Sequence, residues 1–139
     1  MSLGHGDLSK ASLLSPEELE QSVVITDPSL PDNPMIFISE EFEKQTGYSP
    51  EESLGKNCRF LQGPETDPLA IEVIRKALSE KDELTIDILN YAKNGAKFWN
   101  RLRIRPLYSD SGEVLFFAGA QNPISKESVR PNSIKRISD

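Results

Sequence analysis

The last third of the chain alternates apolar and polar residues over three stretches, and this alternation constrains the fold more than any other feature. The stretches are 84–91, 97–106 and 114–121, with Asn94-Gly95 in the first gap and Ser111-Gly112 in the second. A period of two is typical of strands that bury one face, and glycine-containing turns of this kind join hairpins. The sequence therefore predicts a three-stranded antiparallel meander.

The residues ahead of the meander predict a hairpin and several short helices. The β-branched residues at 23–26 and the apolar run at 35–38 would pair across the proline-rich turn at 27–34. Helix starts are indicated by capping residues, followed by proline in three of the four cases, at Ser15, Ser39, Ser49 and Asp67. The order predicts an α+β fold, in which short helices lie on one face of a five-stranded antiparallel sheet.

Length and charge narrow the possible partners. The 139 residues suit one domain, and a formal net charge of -6 disfavours nucleic acid, because its phosphates would be repelled over most of the surface. No apolar run approaches the roughly 18–20 residues that cross a bilayer, and the N-terminus has no apolar signal core. We therefore expect a cytoplasmic protein with neither a membrane nor a nucleic-acid partner.

The chain contains one cysteine, Cys58, and one histidine, His5. A single cysteine excludes an internal disulfide and any metal site built from several cysteines. His5 lies in a glycine-rich leader, so no Ser/His/Asp or Cys/His nucleophile pair can be assembled from the main body. We expect no bound metal, and most hydrolase chemistry is set aside.

Three carboxamides fall on the faces of the meander that should be buried. Asn90, Asn100 and Gln121 each lie an even number of residues from apolar neighbours on their own strand; for Gln121 these neighbours are Leu115 and Phe117. Side chains alternate strictly along a strand, so each amide should point inward with those neighbours. The positions of the two hairpin turns would also bring the three amides roughly abreast.

A row of buried carboxamides needs hydrogen-bonding partners, since an unsatisfied buried amide costs about 1–3 kcal/mol. The three amides could bond one another, or they could be exposed at strand ends. Alternatively, they could bind a planar ligand whose edge mixes donors and acceptors, such as the pyrimidine edge of a flavin. Leu102, Ile104 and Phe117 would then supply an apolar wall. The strand pattern leaves these alternatives open.

A second signal lies in a short segment ahead of the longest predicted helix, Gly55-Lys56-Asn57-Cys58-Arg59-Phe60-Leu61-Gln62-Gly63. This segment resembles the photoactive motif G-x-N-C-R-F-L-Q-G of LOV domains, the flavin photoreceptors of the PAS superfamily that occur in phototropins and bacterial blue-light receptors. Phe98-Trp99-Asn100 and Gly119-Ala120-Gln121 also match the family, and the resemblance extends from about Val23 to Asn122. It implies a PAS fold and a non-covalently bound FMN in the dark.

The resemblance implies a blue-light photoreceptor rather than an enzyme. Cys58 would be the photoactive residue, whose sulfur bonds reversibly to the C4a atom of FMN after illumination. Gln121 would bond near N5 and turn over when N5 gains a proton, which would pass a change to the outer face of the sheet. The remaining cofactor-binding positions would be Arg59 and Arg75 at the phosphate, Asn57 and Gln62 at the ribityl chain, Asn90 and Asn100 at the pyrimidine edge, and Thr26, Asn33, Leu102, Ile104 and Phe117 elsewhere around the ligand.

The opposite face of the meander is also partly apolar. Its predicted residues are Leu89, Tyr91, Trp99, Val114 and Phe116, mixed with Arg101, Arg103 and Arg105. Because this apolar content is too large to remain bare, we expect an N-terminal segment with Leu13, Leu14 and Leu19 to cover part of it. A second protomer in a homodimer would cover the rest. The arginines predict a solvated stripe, with docking of acidic helix ends as the alternative.

The predicted organisation is an N-terminal cap segment at 1–21, a LOV core at 22–123 and a tail at 124–139. The tail could begin a linker to an effector domain, or it could end a short stand-alone receptor that acts on a partner protein. Two other function classes remain. A flavin oxidoreductase would need a second substrate site or an acid–base pair near the amides, and none is evident. A PAS interaction module would sense redox state or bind no ligand.

Overall fold

The computed structural model describes Gly6 and residues 8–130 of the chain. The helices are α1 (Pro16–Leu19), α2 (Glu40–Thr46), α3 (Pro50–Ser53) and α4 (Pro68–Glu80), with 3-10 helices at Leu8–Leu13, Cys58–Leu61 and Lys126–Ser128. The strands are β1 (Ser22–Thr26), β2 (Met35–Ile38), β3 (Leu84–Tyr91), β4 (Lys97–Tyr108), β5 (Val114–Gln121) and β6 (Pro123–Ile124). His5 and the part of the predicted tail at 131–139 lie outside the described residues.

The strands form one antiparallel sheet in the order β2-β1-β5-β4-β3. In the β3–β4 hairpin Ile88 lies opposite Asn100, and between β1 and β5 Ser22 lies opposite Gln121. The short strand β6 pairs with β4 through Ile124 and Trp99. The predicted α+β fold with five antiparallel strands is confirmed, and β6 is an addition that the sequence pattern did not indicate.

Each α-helix begins at its predicted capping residue. The side chains of Ser15, Ser39, Ser49 and Asp67 accept a backbone N–H from the first turn of α1 to α4, respectively. Helix α2 ends at Gly47, whose φ of 80° is the left-handed conformation that glycine tolerates best. The apolar side of α4 packs on the inner face of the sheet through Ile74 and Leu78. The short helices therefore lie where local capping chemistry indicates.

The N-terminal segment covers the outer face of β1 and β5. Leu14 is buried in a cluster with Val23 and Phe37, whereas Leu13 and Leu19 remain 39% and 36% exposed. Lys10 adds a cation–π contact, with its Nζ 5.0 Å from the ring centroid of Phe116. The expected cover is therefore present, but only one of the three predicted leucines is buried in it.

Strand β3 is an edge of the sheet, and the loop that follows the Cys58–Leu61 helix protects it. The Thr66 hydroxyl donates a hydrogen bond to the carbonyl of Leu89 at 2.7 Å, and the Tyr91 hydroxyl accepts the N–H of Glu65 at 2.9 Å. A Cβ atom at Gly63 would lie 2.3 Å from the Tyr91 ring. Glycine is therefore needed there for the loop to approach the edge, and the loop occupies the edge at the Leu89 carbonyl.

The predicted orientation of two residues at the start of β5 is wrong, and a β-bulge explains why. The pairing of β4 with β5 shifts register between Leu107 and Tyr108. Val114, expected on the outer face, instead packs against the inner cluster, and Leu115, expected inside, is 45% exposed. The bulge adds one residue to β5. The residues of β5 on the N-terminal side of the bulge therefore point to the opposite face from the one that strict alternation predicts. Gln121 lies beyond the bulge and keeps its expected face.

The chain continues beyond β5 as a strap, residues 122–130, that lies across the outer side of β3 and β4. The backbone N–H of Arg101 donates to the carbonyl of Asn122 at 2.7 Å, and its guanidinium donates to the carbonyl of Ser128 at 2.9 Å. The N–H of Arg130 donates to the carboxylate of Asp87 at 2.9 Å. These backbone contacts hold the strap, so its place on the sheet depends on Asp87 and Arg101.

Candidate functional site

A pocket opens between the inner face of the sheet, α4 and the Cys58–Leu61 helix. Its empty space, counted together with the open mouth, is about 670 Å³. Most of the predicted site residues line it: Thr26, Asn33, Asn57, Cys58, Arg59, Gln62, Asn90, Leu102, Ile104, Phe117 and Gln121. Residues distant in sequence are thus brought together around one cavity.

Two predicted residues do not line the pocket. Asn100 is fully buried and contacts the carboxamides of Asn90 and Gln121, which themselves face the cavity. The guanidinium of Arg75 donates to Glu72, one turn earlier on α4, at 2.6 Å, and its side chain is 69% exposed. The ion pair with Glu72 places Arg75 on the solvent side of α4, so Arg59 lines the cavity and Arg75 does not, and the predicted phosphate contact of Arg75 stays a prediction.

The segment with the cysteine is anchored to the start of β2 by two backbone hydrogen bonds. The N–H of Gly55 donates to the carbonyl of Met35, and the N–H of Met35 donates to the carbonyl of Lys56, both at 2.9 Å. The Asn57 side chain then accepts the N–H of Arg59 at 2.9 Å and caps the 3-10 helix. Cys58 is the first residue of that helix, so these bonds fix its position on the pocket wall.

Cys58 lies among apolar side chains. It is half-buried, and it packs against a cluster that includes Phe42 and Leu61. Burial disfavours the charged form and raises the pKa of the Cys58 thiol to about 12. At neutral pH the side chain is therefore a thiol rather than the nucleophilic thiolate.

The three carboxamides form a hydrogen-bonded row at the inner end of the pocket. Asn100 Nδ2 donates to Asn90 Oδ1 at 3.0 Å and to Gln121 Oε1 at 2.7 Å, and Asn100 Oδ1 accepts the N–H of Asn122 at 2.9 Å. All three are at most 5% exposed. The amides therefore do bond one another, which was one of the alternatives. However, the amino groups of Asn90 and Gln121 make only long bonds of 3.2 Å to nearby carbonyls, which leaves them able to bind a ligand.

Polar residues gather at the mouth of the pocket. Asn57 Nδ2 donates to the carbonyl of Asp32 at 2.8 Å, and the guanidinium of Arg59 donates to the carboxylate of Asp32. Asn33 Oδ1 is buried without a hydrogen-bond partner. A cation, amides and an unsatisfied oxygen at one mouth suit a polar chain that ends in an anion.

Part of the apolar wall was missed from the sequence. Ile74 and Leu78 of α4, Val24 of β1 and Leu61 also line the cavity. The helical stripe at Ile74 and Leu78 was visible as a buried face, but the same stripe packs on the inner cluster of the sheet. A periodic pattern shows that a face is buried, and it does not separate core contacts from ligand contacts.

The donor set fits a flavin. The walls are aliphatic and aromatic, as a planar ring requires, and the amide row offers both donors and acceptors along one edge. The buried Asn33 Oδ1 lacks a donor, and leaving such an atom unsatisfied costs about 1–3 kcal/mol. A ligand that carries hydroxyl groups toward the mouth would supply that donor.

Comparison with known proteins places this architecture in a family. The PAS domain family matches residues 20–126. A solved Light-Oxygen-Voltage domain, from work on a flavin analogue and the mechanism of such domains, is 46% identical, covers 86% of each chain and superposes with a TM-score of 0.77. The chain is a LOV domain of the PAS family. The LOV domain of a blue-light activated histidine kinase from Erythrobacter litoralis is 40% identical, covers 76% of this chain and 97% of its own, and has a TM-score of 0.73.

Phototropin-2 of Oryza sativa subsp. japonica is 50% identical to the LOV domain over 105 residues, which are 76% of this chain and 12% of that protein. The chain thus spans about an eighth of the length of this relative. The predicted recognition is confirmed, and a LOV domain is a photoreceptor module rather than an enzyme. The roles assigned to individual residues stay predictions.

The described part of the chain offers neither a metal cluster nor a membrane-spanning helix. Within Gly6 and residues 8–130, no group of three or more His, Cys, Asp or Glu side chains is arranged to hold a metal ion. No helix in the same residues has the length and apolar character to cross a membrane.

Proposed function

We propose that the LOV domain binds FMN non-covalently in the dark and forms a reversible bond between Cys58 Sγ and the flavin C4a atom under blue light. The observation that carries this proposal is the placement of a protonated thiol and a carboxamide row on one apolar pocket. The thiol supplies the group that would bond, and the amides suit the pyrimidine edge. Membership of the LOV family supports the same cofactor.

Different side chains would contact different parts of the flavin. The carboxamides of Asn90 and Gln121, with Asn100 behind them, would bond the ring edge. Leu102, Ile104 and Phe117 would contact the ring faces. The remaining binding residues would lie along the polar chain: Thr26, Asn33, Asn57 and Gln62, with Arg59 and Arg75 at the phosphate.

The raised pKa of Cys58 explains why light is required. In the dark the thiol is neutral and therefore a poor nucleophile. The bound flavin supplies light absorption and an acceptor carbon. Under light the Cys58 thiol would add across the C4a–N5 double bond of the bound flavin: its S–H bond would break, Sγ would bond to C4a, and the proton would go to N5. The thermal return reverses both changes, so no external oxidant or reductant is consumed.

The amide row connects the pocket to the strap. Gln121 Oε1 accepts from Asn100, and Asn100 Oδ1 accepts the N–H of Asn122, the first residue of the strap. When N5 becomes a donor, Gln121 must present an acceptor to it, which disturbs its bond with Asn100. Strand β4 also holds α1, because Arg105 forms a bidentate pair with Glu18. The strap and α1 are thus both held by β4, the strand that carries Asn100.

The light signal would pass from this domain to a second protomer and to an effector domain or partner protein. We infer a homodimer, supported by the exposed Leu13 and Leu19 on the N-terminal segment. We also infer an effector domain or partner protein, since one related LOV domain belongs to a histidine kinase. The predicted boundaries at 1–21, 22–123 and 124–139 and the cytoplasmic location stay predictions.

The proposed chemistry is tested by colour. The purified protein should be yellow, bleach under blue light and recover in the dark. Cys58→Ala should keep the yellow colour and lose the bleaching, because the pocket remains while the thiol is gone. Lys56→Ala is a matched control in the same segment: its side chain is exposed and does not line the pocket, so bleaching should persist. Bleaching in Cys58→Ala, or a protein that takes up no FMN, would overturn the proposal.

A further inference from the structure

The mouth of the pocket contains an ion pair that the proposed function does not need. Arg59 is the one cationic residue on the pocket lining of the described chain. Its guanidinium is bonded to the carboxylate of Asp32, and both side chains are 57% exposed. The group best suited to an anionic ligand therefore already has an anionic partner.

The backbone holds Asp32 in this position. Asp32 and Asn33 have φ values of 70° and 48°, the left-handed region that residues other than glycine adopt rarely. The carbonyl of Asp32 accepts Asn57 Nδ2 at 2.8 Å, which ties this turn to the segment with the cysteine. In the same turn, Asn33 lines the pocket with its buried, unpartnered Oδ1. Strained backbone of this kind persists where the surrounding contacts enforce it, and it is frequent at ligand sites.

We propose that Asp32 determines how strongly the pocket prefers a phosphorylated flavin over an unphosphorylated one. The inference rests on the proposed function, since it concerns the same ligand. A terminal phosphate and the Asp32 carboxylate compete for one guanidinium, and they repel each other. Asp32 thus lowers the affinity for FMN while leaving the affinity for riboflavin, which has no phosphate, nearly unchanged.

A competing effect has the opposite sign and is smaller. The ion pair holds Arg59 over the mouth, so loss of Asp32 would also release the guanidinium. Exposed ion pairs restrict their side chains only weakly, because solvent screens them. A phosphate monoester carries a charge of about -1.5 to -2 at neutral pH, so its repulsion by a neighbouring carboxylate is stronger than that of a single charge. Repulsion therefore dominates.

The substitution Asp32→Asn isolates the charge. Asparagine has nearly the same shape and tolerates the left-handed conformation, and the bond from Asn57 goes to a backbone carbonyl that remains. Asp110→Asn is a matched control, because Asp110 is exposed in the turn between β4 and β5, does not line the pocket and changes the net charge equally. Each of the three proteins is equilibrated with an excess of an equimolar mixture of FMN and riboflavin, and the bound flavins are separated and quantified after removal of free ligand.

We expect the ratio of bound FMN to bound riboflavin to rise about fivefold in Asp32→Asn, which corresponds to about 1 kcal/mol. The ratio in Asp110→Asn should equal that of the unaltered protein. The gain should shrink at high salt, because both charges are exposed. A ratio that is unchanged or lower in Asp32→Asn, with both flavins still bound, would overturn this inference alone. If the unaltered protein bound neither flavin, the proposed function would fail and the inference with it.

Discussion

Strand β4 presents two faces that satisfy polar groups in different ways. On the inner face, Asn100 is fully buried and forms neutral hydrogen bonds to three partners. On the outer face, Arg101 and Arg105 form bidentate ion pairs with Asp87 and Glu18. Asn100 therefore belongs to a neutral hydrogen-bonded network on the inner face, and the next residue, Arg101, belongs to an ion pair on the outer face.

The difference indicates what each face can do. A neutral amide can exchange donor for acceptor by rotation, without any change of charge, and this suits a ligand whose hydrogen-bonding pattern changes. The outer ion pairs respond to pH and salt and hold backbone segments in place. The inner face thus suits detection and the outer face suits attachment, and the strand joins the two through alternate side chains.

The largest effect should come from removing the inner amide. Asn100→Leu leaves the carboxamide oxygens of Asn90 and Gln121 without their donor and the N–H of Asn122 without its acceptor. Because these groups are buried, we expect a loss of about 3 kcal/mol in the free energy of unfolding. Urea unfolding followed by circular dichroism, in buffer without added flavin, measures it.

The matched control is Arg103→Leu, which makes a similar replacement on the outer face of the same strand. Arg103 is exposed, so the free energy of unfolding should change by less than about 0.5 kcal/mol. Similar losses in the two variants would show that the distinction between the faces is mistaken.

The second-largest effect should come from the outer ion pair whose carboxylate is buried, Asp87 with Arg101. The Asp87 side chain is 1% exposed and that of Arg101 is 24% exposed, so Arg101→Met would leave a carboxylate buried without its main partner. We expect a loss of about 2 kcal/mol at neutral pH, less than for a fully buried pair because Arg101 reaches solvent. The strap should loosen as well, which hydrogen exchange at 122–130 would detect.

The pH dependence of this loss follows from Asp87. Arg101 lowers the pKa of that carboxyl below its ordinary value of 3.8. The pair therefore stabilises the fold above about pH 4, and this contribution is lost as the pH falls through the lowered pKa. In Arg101→Met the buried carboxyl binds a proton more readily, so the gap between the two proteins should narrow on acidification. In a protein that already carries Asp87→Asn, the cost of adding Arg101→Met should not change over this pH range, because the titrating carboxyl is absent.

Most of the fold followed from local patterns in the sequence. Capping residues located the helix starts at Ser15, Ser39, Ser49 and Asp67, and alternation located the strands. The inward orientation of Asn90, Asn100 and Gln121 followed from parity alone, because every side chain on a strand has only two possible faces. Such features depend on neighbours in the sequence, so they can be predicted without the tertiary structure.

The failures have a different origin. The register shift between Leu107 and Tyr108 moved Val114 and Leu115 to unexpected faces, and strict alternation along a strand does not anticipate an extra residue. The pairing of Arg75 with Glu72 depends on the direction of its side chain on α4, which the sequence does not give, and its predicted phosphate contact stays a prediction. The strap is held by backbone groups that meet Asp87 and Arg101, and these long-range contacts leave no trace in composition.

The smallest effect should come from the more exposed outer pair, Arg105 with Glu18. Burial would raise the pKa of Glu18, but hydrogen bonds from Ser15 and Arg105 outweigh burial and lower it. The pair therefore stabilises the fold above about pH 4.3, and this contribution is lost as the pH falls through the lowered pKa.

Since Arg105 is 40% exposed, Arg105→Gln should cost at most about 1 kcal/mol at neutral pH and nearly nothing in high salt. Hydrogen exchange should increase at 16–20 and stay unchanged at 122–130, because this arginine holds α1 and Arg101 holds the strap; equal increases at both would show that the outer face acts as one unit.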